Sequence, residues 1–391
     1  MAPRPVQILA TGTALPPVAD ADAWAARAGM TVAELEACAG VRQRHAVGTE
    51  TATDLGAAAA RAALDAAGIA PDALDLVLGA CGSRAQPLPG PAVLVHRALG
   101  LGETGIPAFD VDSTCLSFVS ALDVAAMWIA SGRARRVLVV SAEVATAAVD
   151  WSHPESAGLF GDGAAAAVLG PADGTSADGD RTTLPTTSPL PEGRRSRRAG
   201  EEGQGEGSGT PRHNVDSRLR GNDGMGGDRG VETLSVADGS AILAARHETF
   251  SHAADLCRVR GGGTALHPND AAATPRDFLF EMDGPRLFRL AADKLPDFAR
   301  RLCADAGTTL DAVDVVIPHQ ASAATLRLLA RRLGVEDRIV SIVETHGNCI
   351  AASIPLALHH AVESGRLRRG DTALLIGTSA GVSLGGLVLR Y

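Results

Sequence analysis

Lysine is almost missing: Lys294 is the only one, so the 36 basic side chains are otherwise all arginine. Such a skew reads as coding bias, and arginine clusters carry correspondingly less meaning here. A net charge of −9 argues against general nucleic-acid binding. No apolar run approaches the roughly 18 residues of a membrane span, and the opening MAPRPVQILATGTALPP lacks a secretory signal's apolar segment. The six cysteines (38, 81, 115, 257, 303, 349) form no CxxC and no paired spacing. Metal sites and a disulfide framework are therefore not expected, and a reducing cytoplasm is. Aromatics supply only 3% of the chain, so an apolar fraction of 46%, rich in alanine, must build the core.

The chain is organised around residues 109–132, FDVDSTCLSFVSALDVAAMWIASG. Phe109-Asp110-Val111 reads as the end of a buried strand, and Ser113 or Thr114 as a helix cap. Apolar residues at Leu116, Val119, Leu122, Ala126, Met127 and Ile129 then mark a helix with a wide buried face, stopped at Gly132. Cys115 stands at the junction, where free N–H groups and the helix dipole favour a thiolate. The competing reading is a small, inert core cysteine.

Strands are expected at Gln7–Gly12, Leu76–Cys81, Val137–Ser141, Ala164–Leu169, Val231–Val236 and Phe278–Met282. Helices intervene, among them Thr53–Ala67 and a long one from Pro285 to about Ala306, so the class is α/β. Between about Pro171 and Gly230 the composition turns to Gly, Ser, Thr, Pro and Arg, with almost nothing apolar to bury. This segment is expected to be a disordered insertion. It separates an N-terminal half, 1–170, from a C-terminal half, 231–391, with about 245 as the outer limit for the first half's last strands.

The halves repeat one another. Gly68–Cys81 reads GIAPDALDLVLGAC and Gly307–Gln320 reads GTTLDAVDVVIPHQ; further on, SGRARR (131–136) answers SGRLRR (364–369). Cys115 lies 16 residues before Ser131 and Asn348 lies 16 before Ser364, so the two should occupy matching helix starts. His319 closes the strand VDVVIP, at the strand end where α/β sheets hold catalytic groups. A thiol, an imidazole and a carboxamide are thus expected to converge.

A cysteine beside a histidine makes a nucleophile with its general base, while an asparagine can only orient or donate hydrogen bonds. The Gly377-Thr378-Ser379-Ala380-Gly381 turn can bring a backbone N–H to an acyl oxygen. Acyl transfer through a thioester on Cys115 follows, and then carbon–carbon bond formation with an enolate held by His319 and Asn348. A cysteine hydrolase is the rival enzyme, but a dry duplicated interior suits a carbanion better than an attacking water. His45, His153, His346, His359 and His360 read as surface or satisfied core residues, Asp162 as a turn-former.

On these residues the chain resembles the thiolase-superfamily condensing enzymes, and within them the β-ketoacyl-acyl-carrier-protein synthase III group. The matching stretches are GVRQRH (40–45), FDVDSTC (109–115), LFGDGAAAAVL (159–169), MDGPRLF (282–288), IPHQAS (317–322), HGNCIAASIPLAL (346–358) and the terminal GTSAGVSLGGLVLRY. The resemblance implies a duplicated αβαβα five-layer fold, usually homodimeric. It implies Cys115 as the acylated nucleophile, His319 and Asn348 as the decarboxylation and enolate pair, and the Cys115 and Gly381 backbones as oxyanion hole. It implies Arg42, Leu88 and Ser322 near substrate, and an acyl-CoA with malonyl-acyl carrier protein as partners. The acyl groups ride on coenzyme A or phosphopantetheine, with no resident cofactor.

Departures from the family pattern concern specificity. Glu34 stands where a tryptophan would stack on adenine, Ser322 replaces an asparagine, and Ala324 replaces a docking arginine that Arg327 or Arg331 could substitute. Leu88 aligns with the aromatic that limits pocket length from a partner loop. Two alternatives follow: an acyltransferase or acyl-CoA condensing enzyme using the same acyl-cysteine, and a non-catalytic partner subunit of another ketosynthase.

Overall fold

A computed structural model describes residues 2–172 and 239–391. The expected strand at Val231–Val236 and almost all of the expected insertion lie outside the described residues. Chain order gives β1 (Val6–Ala14), β2 (Leu76–Gly79), β3 (Ala108–Asp110), β4 (Val137–Glu143) and β5 (Gly163–Pro171). There follow β6 (Ala241–Thr249), β7 (Cys257–Val259), β8 (Phe280–Met282), β9 (Val315–Pro318), β10 (Thr372–Ser379) and β11 (Ser383–Arg390). Five strands form one sheet in the order β1-β5-β4-β2-β3, four form a second in the order β6-β11-β10-β9, and β7 pairs with β8.

Each large sheet is buried on both faces, as its runs of apolar residues require. Leu76, Leu78, Val137, Val139, Ala165 and Ala167 of the first sheet share one core with Ile317, Leu375 and Leu387 of the second. Between them lie the helices Ser117–Ala130 and Ser353–Glu363, through Phe118, Leu122, Ile354 and Leu358. The alternate residues of the first sheet (Val77, Leu138, Val140, Ala164, Ala166) pack outward on the helices Ala52–Ala67 and Pro91–Ala98. Those of the second (Val316, Leu374, Ile376, Val388) pack on Gly284–Asp305 and Ala323–Leu333. The result is the expected αβαβα stack.

Alanine sets its spacing. β5 reads GAAAAVLGP, all buried but its last residue. On neighbouring β1, a Cβ at Gly12 would lie 2.3 Å from the Ala63 backbone nitrogen, so the outer helix rests directly on the strand.

The internal repeat holds through the strand entry. Gly68 (φ 65°) and Gly307 (φ 70°) each precede a 3₁₀ turn and then β2 or β9, and Leu76 pairs with Val137 as Val315 pairs with Ala373. It shifts at the helix starts. Thr114–Leu116 and Ile350–Ala352 are both 3₁₀ turns that enter a helix at a buried serine, Ser117 or Ser353. Counted from those turns, Cys115 matches Ala351, not Asn348. Counting back from the helix ends misaligns the pair because one helix has 14 residues and the other 11.

Two local readings are corrected. β3 is a half-buried edge strand, not a buried one, because it has β2 on one side only. Neither Ser113 nor Thr114 caps a helix: Ser113 Oγ bonds Ser120 Oγ at 2.6 Å and Thr114 Oγ1 donates to the Ser113 carbonyl at 2.8 Å.

Candidate active site

Cys115 sits inside the 3₁₀ turn that follows β3. The backbone there is strained, since Thr114 has φ 51°, a region β-branched residues rarely enter. Cys115 is partly buried, and desolvation pushes the thiol above its ordinary range. The N–H groups of Ala380 and of Cys115 itself pull the other way. Desolvation thus opposes the thiolate that the helix start and these N–H groups favour. The backbone group at the sulfur belongs to Ala380, one residue before the expected Gly381, which occupies the left-handed bend (φ 82°) just after it.

His319 follows directly on β9, its N–H bonded to the Ile376 carbonyl of β10 at 2.8 Å. It is 6% exposed. A Cβ on Gly377 would come within 2.7 Å of His319 Cβ and 3.4 Å of Leu116 Cδ2. The imidazole and the cysteine turn thus flank one glycine of β10, where any larger residue would part them. Burial lowers the His319 pKa to about 4, so the ring is neutral, and its Nδ1 is buried without a protein partner. An unpaired buried nitrogen is costly in a resting protein and is the group a substrate would satisfy.

Asn348, 7% exposed, reaches the same loop: its Nδ2 donates to the Ala321 carbonyl at 3.4 Å, two residues beyond His319. Its Oδ1 accepts from the Ile350 N–H at 2.9 Å, which fixes the amide orientation. Gln320 is a fully buried hub beside them. Its Nε2 donates to the Pro318 and Val340 carbonyls (2.8 and 3.2 Å), and its Oε1 accepts from the Ile342 and Val343 N–H groups (2.8 and 3.1 Å). One amide thereby joins the His319 loop to the short helix Val343–His346 that leads into Asn348. Sequence reading alone assigns Gln320 no role; its place between His319 and Ala321 is the available signal. Glu143, at the end of β4, is another buried polar group that the strand pattern passes over.

The remaining candidates lie elsewhere. Leu88 is 83% exposed in the loop before the helix Pro91–Ala98, with a cis bond to Pro89. Ser322 is a helix cap, its Oγ accepting from the Thr325 N–H at 3.2 Å. Arg42 and Arg327 both approach the Glu344 carboxylate, at 3.6 and 4.0 Å, on an exposed rim. Arg331 is exposed in the last turn of the helix Ala323–Leu333. Glu34, in the position expected of an aromatic, accepts the Thr31 N–H at 2.8 Å in a capping box. Asp162 is no turn-former: its buried carboxylate accepts from the Val47 and Thr146 N–H groups at 3.0 and 2.9 Å. His45 bonds the Pro16 carbonyl at 2.6 Å and His359 bonds Thr11 Oγ1 at 2.9 Å, as satisfied structural residues do.

Known proteins match this arrangement over its whole length. Residues 109–186 match the family model described as 3-oxoacyl-[acyl-carrier-protein] synthase III, and residues 303–391 match its C-terminal counterpart. A β-ketoacyl-[acyl-carrier-protein] synthase III from Rhizorhabdus wittichii is 33% identical over 99% of this chain and 100% of its own. One from Agrobacterium fabrum is 32% identical over 90% of this chain and 88% of its own. Among solved structures, the synthase III of Pseudomonas aeruginosa is 28% identical with a TM-score of 0.74, over 99% of this chain and 98% of that one. The priming β-ketosynthase of the R1128 polyketide pathway is 26% identical with a TM-score of 0.75, over 99% and 97%. With identity of this order sustained from end to end, the chain belongs to the β-ketoacyl-acyl-carrier-protein synthase III family of thiolase-like condensing enzymes.

Proposed function

We propose that the protein loads an acyl group from a thioester onto Cys115 and condenses it with a malonyl thioester. Neutral His319 takes the thiol proton as the sulfur attacks the acyl carbonyl. The new C–S bond forms as the bond to the carrier sulfur breaks, and the carrier leaves as a thiol with that proton. The N–H groups of Cys115 and Ala380 receive the carbonyl oxygen during the attack. The malonyl carboxylate then leaves as carbon dioxide, and its electron pair becomes an enolate whose oxygen is held by His319 and Asn348. The enolate carbon attacks the acyl carbonyl, Cys115 departs as a thiolate, and the sulfur takes up a proton from solvent. The observation that carries this reading is the buried, unpartnered His319 nitrogen in the same loop that Asn348 Nδ2 reaches.

Primer and donor come on coenzyme A and acyl carrier protein, with Arg327 and Arg331 on the outer surface as docking cations. No resident cofactor is involved. The working form is a cytoplasmic homodimer. Support for pairing comes from β3, an edge strand packed beside the helix Pro91–Ala98, which carries exposed Val93 and follows exposed Leu88. In that dimer Leu88 closes the acyl pocket of the partner subunit.

Intact-mass measurement after incubation with a panel of acyl-CoAs tests the assignment. The wild type should gain one acyl mass, and Cys115→Ala none. An adduct of equal yield on the alanine variant would overturn it.

A further inference from the structure

Loading and condensation leave unused a buried acid that lies beside the cysteine turn. Glu143, the last residue of β4, is fully buried. Its Oε1 accepts from the Gly82 N–H at 2.5 Å, and its Oε2 accepts from the Ser83 N–H at 2.8 Å and from Ser83 Oγ. The Ala351 N–H also faces it. These partners adjoin both functional turns. A Cβ on Gly82 would lie 2.7 Å from Ile350 Cγ2 and 3.3 Å from the Thr114 carbonyl carbon, so Gly82 is wedged between the residue before Cys115 and the residue two after Asn348. Both flanking residues have left-handed backbones, Thr114 at φ 51° and Ile350 at φ 45°. Conformations of that kind persist only where neighbours over-determine them.

We propose that Glu143 is a positioning residue of the condensing site, a carboxylate that clamps the Cys115 turn to the turn after Asn348 through Gly82, Ser83 and Ala351. This rests on the acyl-cysteine reading and deepens it. A glutamate suits the task because a carboxylate accepts several N–H bonds at once, whereas an amide would turn one N–H toward another. The thiols of Cys81, Cys115 and Cys349 face the same carboxylate, and its negative charge discourages each from ionising. Burial raises the carboxyl pKa to about 7, against the pull of its three close donors.

The test is the pH dependence of Cys115 alkylation by iodoacetamide in the full-length protein, read by mass spectrometry without any substrate. Glu143→Gln should shift the rise of the alkylation rate to lower pH, making it roughly three- to tenfold faster near pH 8, because a negative charge close to the thiol is gone. Its condensation kcat should fall with little change in primer KM, and Glu143→Asp should recover part of that loss. Should the glutamine variant misfold, Ser83→Ala removes a donor that stabilises the negative charge, so the carboxyl keeps its proton to higher pH and the profile should shift the same way by less. Folded variants whose alkylation profiles coincide with the wild type would overturn the proposal. Because alkylation uses no acyl donor, that result leaves the acyl-cysteine assignment standing, whereas a wild type without an acyl adduct defeats the assignment alone.

Discussion

Thr114 and Ile350 hold the same backbone conformation at the start of the same kind of turn, one on each side of the duplicated fold. Each lies close to a functional side chain, Cys115 or Asn348, and both touch Gly82. The third non-glycine residue with positive φ among the described residues is Val382, two positions after Ala380. Backbone strain is therefore concentrated around the sulfur.

Relieving that strain should separate stability from activity. Thr114→Gly removes a β-branched residue from a left-handed position and should raise stability by up to about 1 kcal/mol. The looser turn should lower the rate of Cys115 acylation several-fold. Urea denaturation and stopped-flow loading on the same preparation check both; a parallel loss in each would show that Thr114 is needed for folding alone.

His319 and Asn348 should divide the two half-reactions unequally. Asn348→Ala should leave loading within a few-fold of wild type and reduce condensation on the order of 10²-fold, as loss of a polar group aimed at developing charge does. His319→Ala should impair both, condensation more. Rapid-quench measurement of acyl-enzyme and of ketoacyl product separates the steps, and equal losses from Asn348→Ala would contradict this division of labour.

Gln320→Ala should be the most damaging change outside the reacting groups. It strands two carbonyls and two N–H groups in a buried place, for a loss of roughly 3 kcal/mol. Chemical denaturation measures it. A loss below about 1 kcal/mol would mean that water satisfies those groups.

Stability should weaken in mild acid. His319 holds its folded pKa near 4, below the ordinary 6.5, because burial penalises the imidazolium. The unfolded chain therefore takes the proton first. Nothing is lost above about pH 6.5, and stability declines as pH falls from there towards 4, by on the order of 2–3 kcal/mol from this group. His319→Gln should flatten that decline in a pH series of thermal melts.

Much of this is legible in the chain. The apolar runs of β2, β4, β5 and β9, the alanine-rich outer helix and the repeated Gly–Asp–Asp pattern all report local chemistry, and each falls where periodicity puts it. The Cys115, His319 and Asn348 stretches carry the motif, although the repeat count that set Cys115 against Asn348 is thrown off by helices of 14 and 11 residues. What escapes depends on three dimensions. Whether Gly381 or Ala380 turns its N–H to the sulfur is a matter of one peptide plane. That Ser322 and Glu34 serve as helix caps follows from backbone groups that happen to lie free beside them. Glu143 reads as the polar end of an apolar strand, because its partners lie 60 and more residues away. The edge position of β3 cannot be read from three residues that have only one neighbour.

The alanine run of β5 has a further bearing on how such a protein can diversify. Where β1 meets the outer helix at Gly12 and Ala63 the contact is backbone to backbone, and an added methyl group there would force the two apart. At such contacts the interior has no volume to trade, so a descendant that accepts a longer or bulkier acyl chain gains its room more readily from connecting segments such as those between β2 and β3 or between β7 and β8.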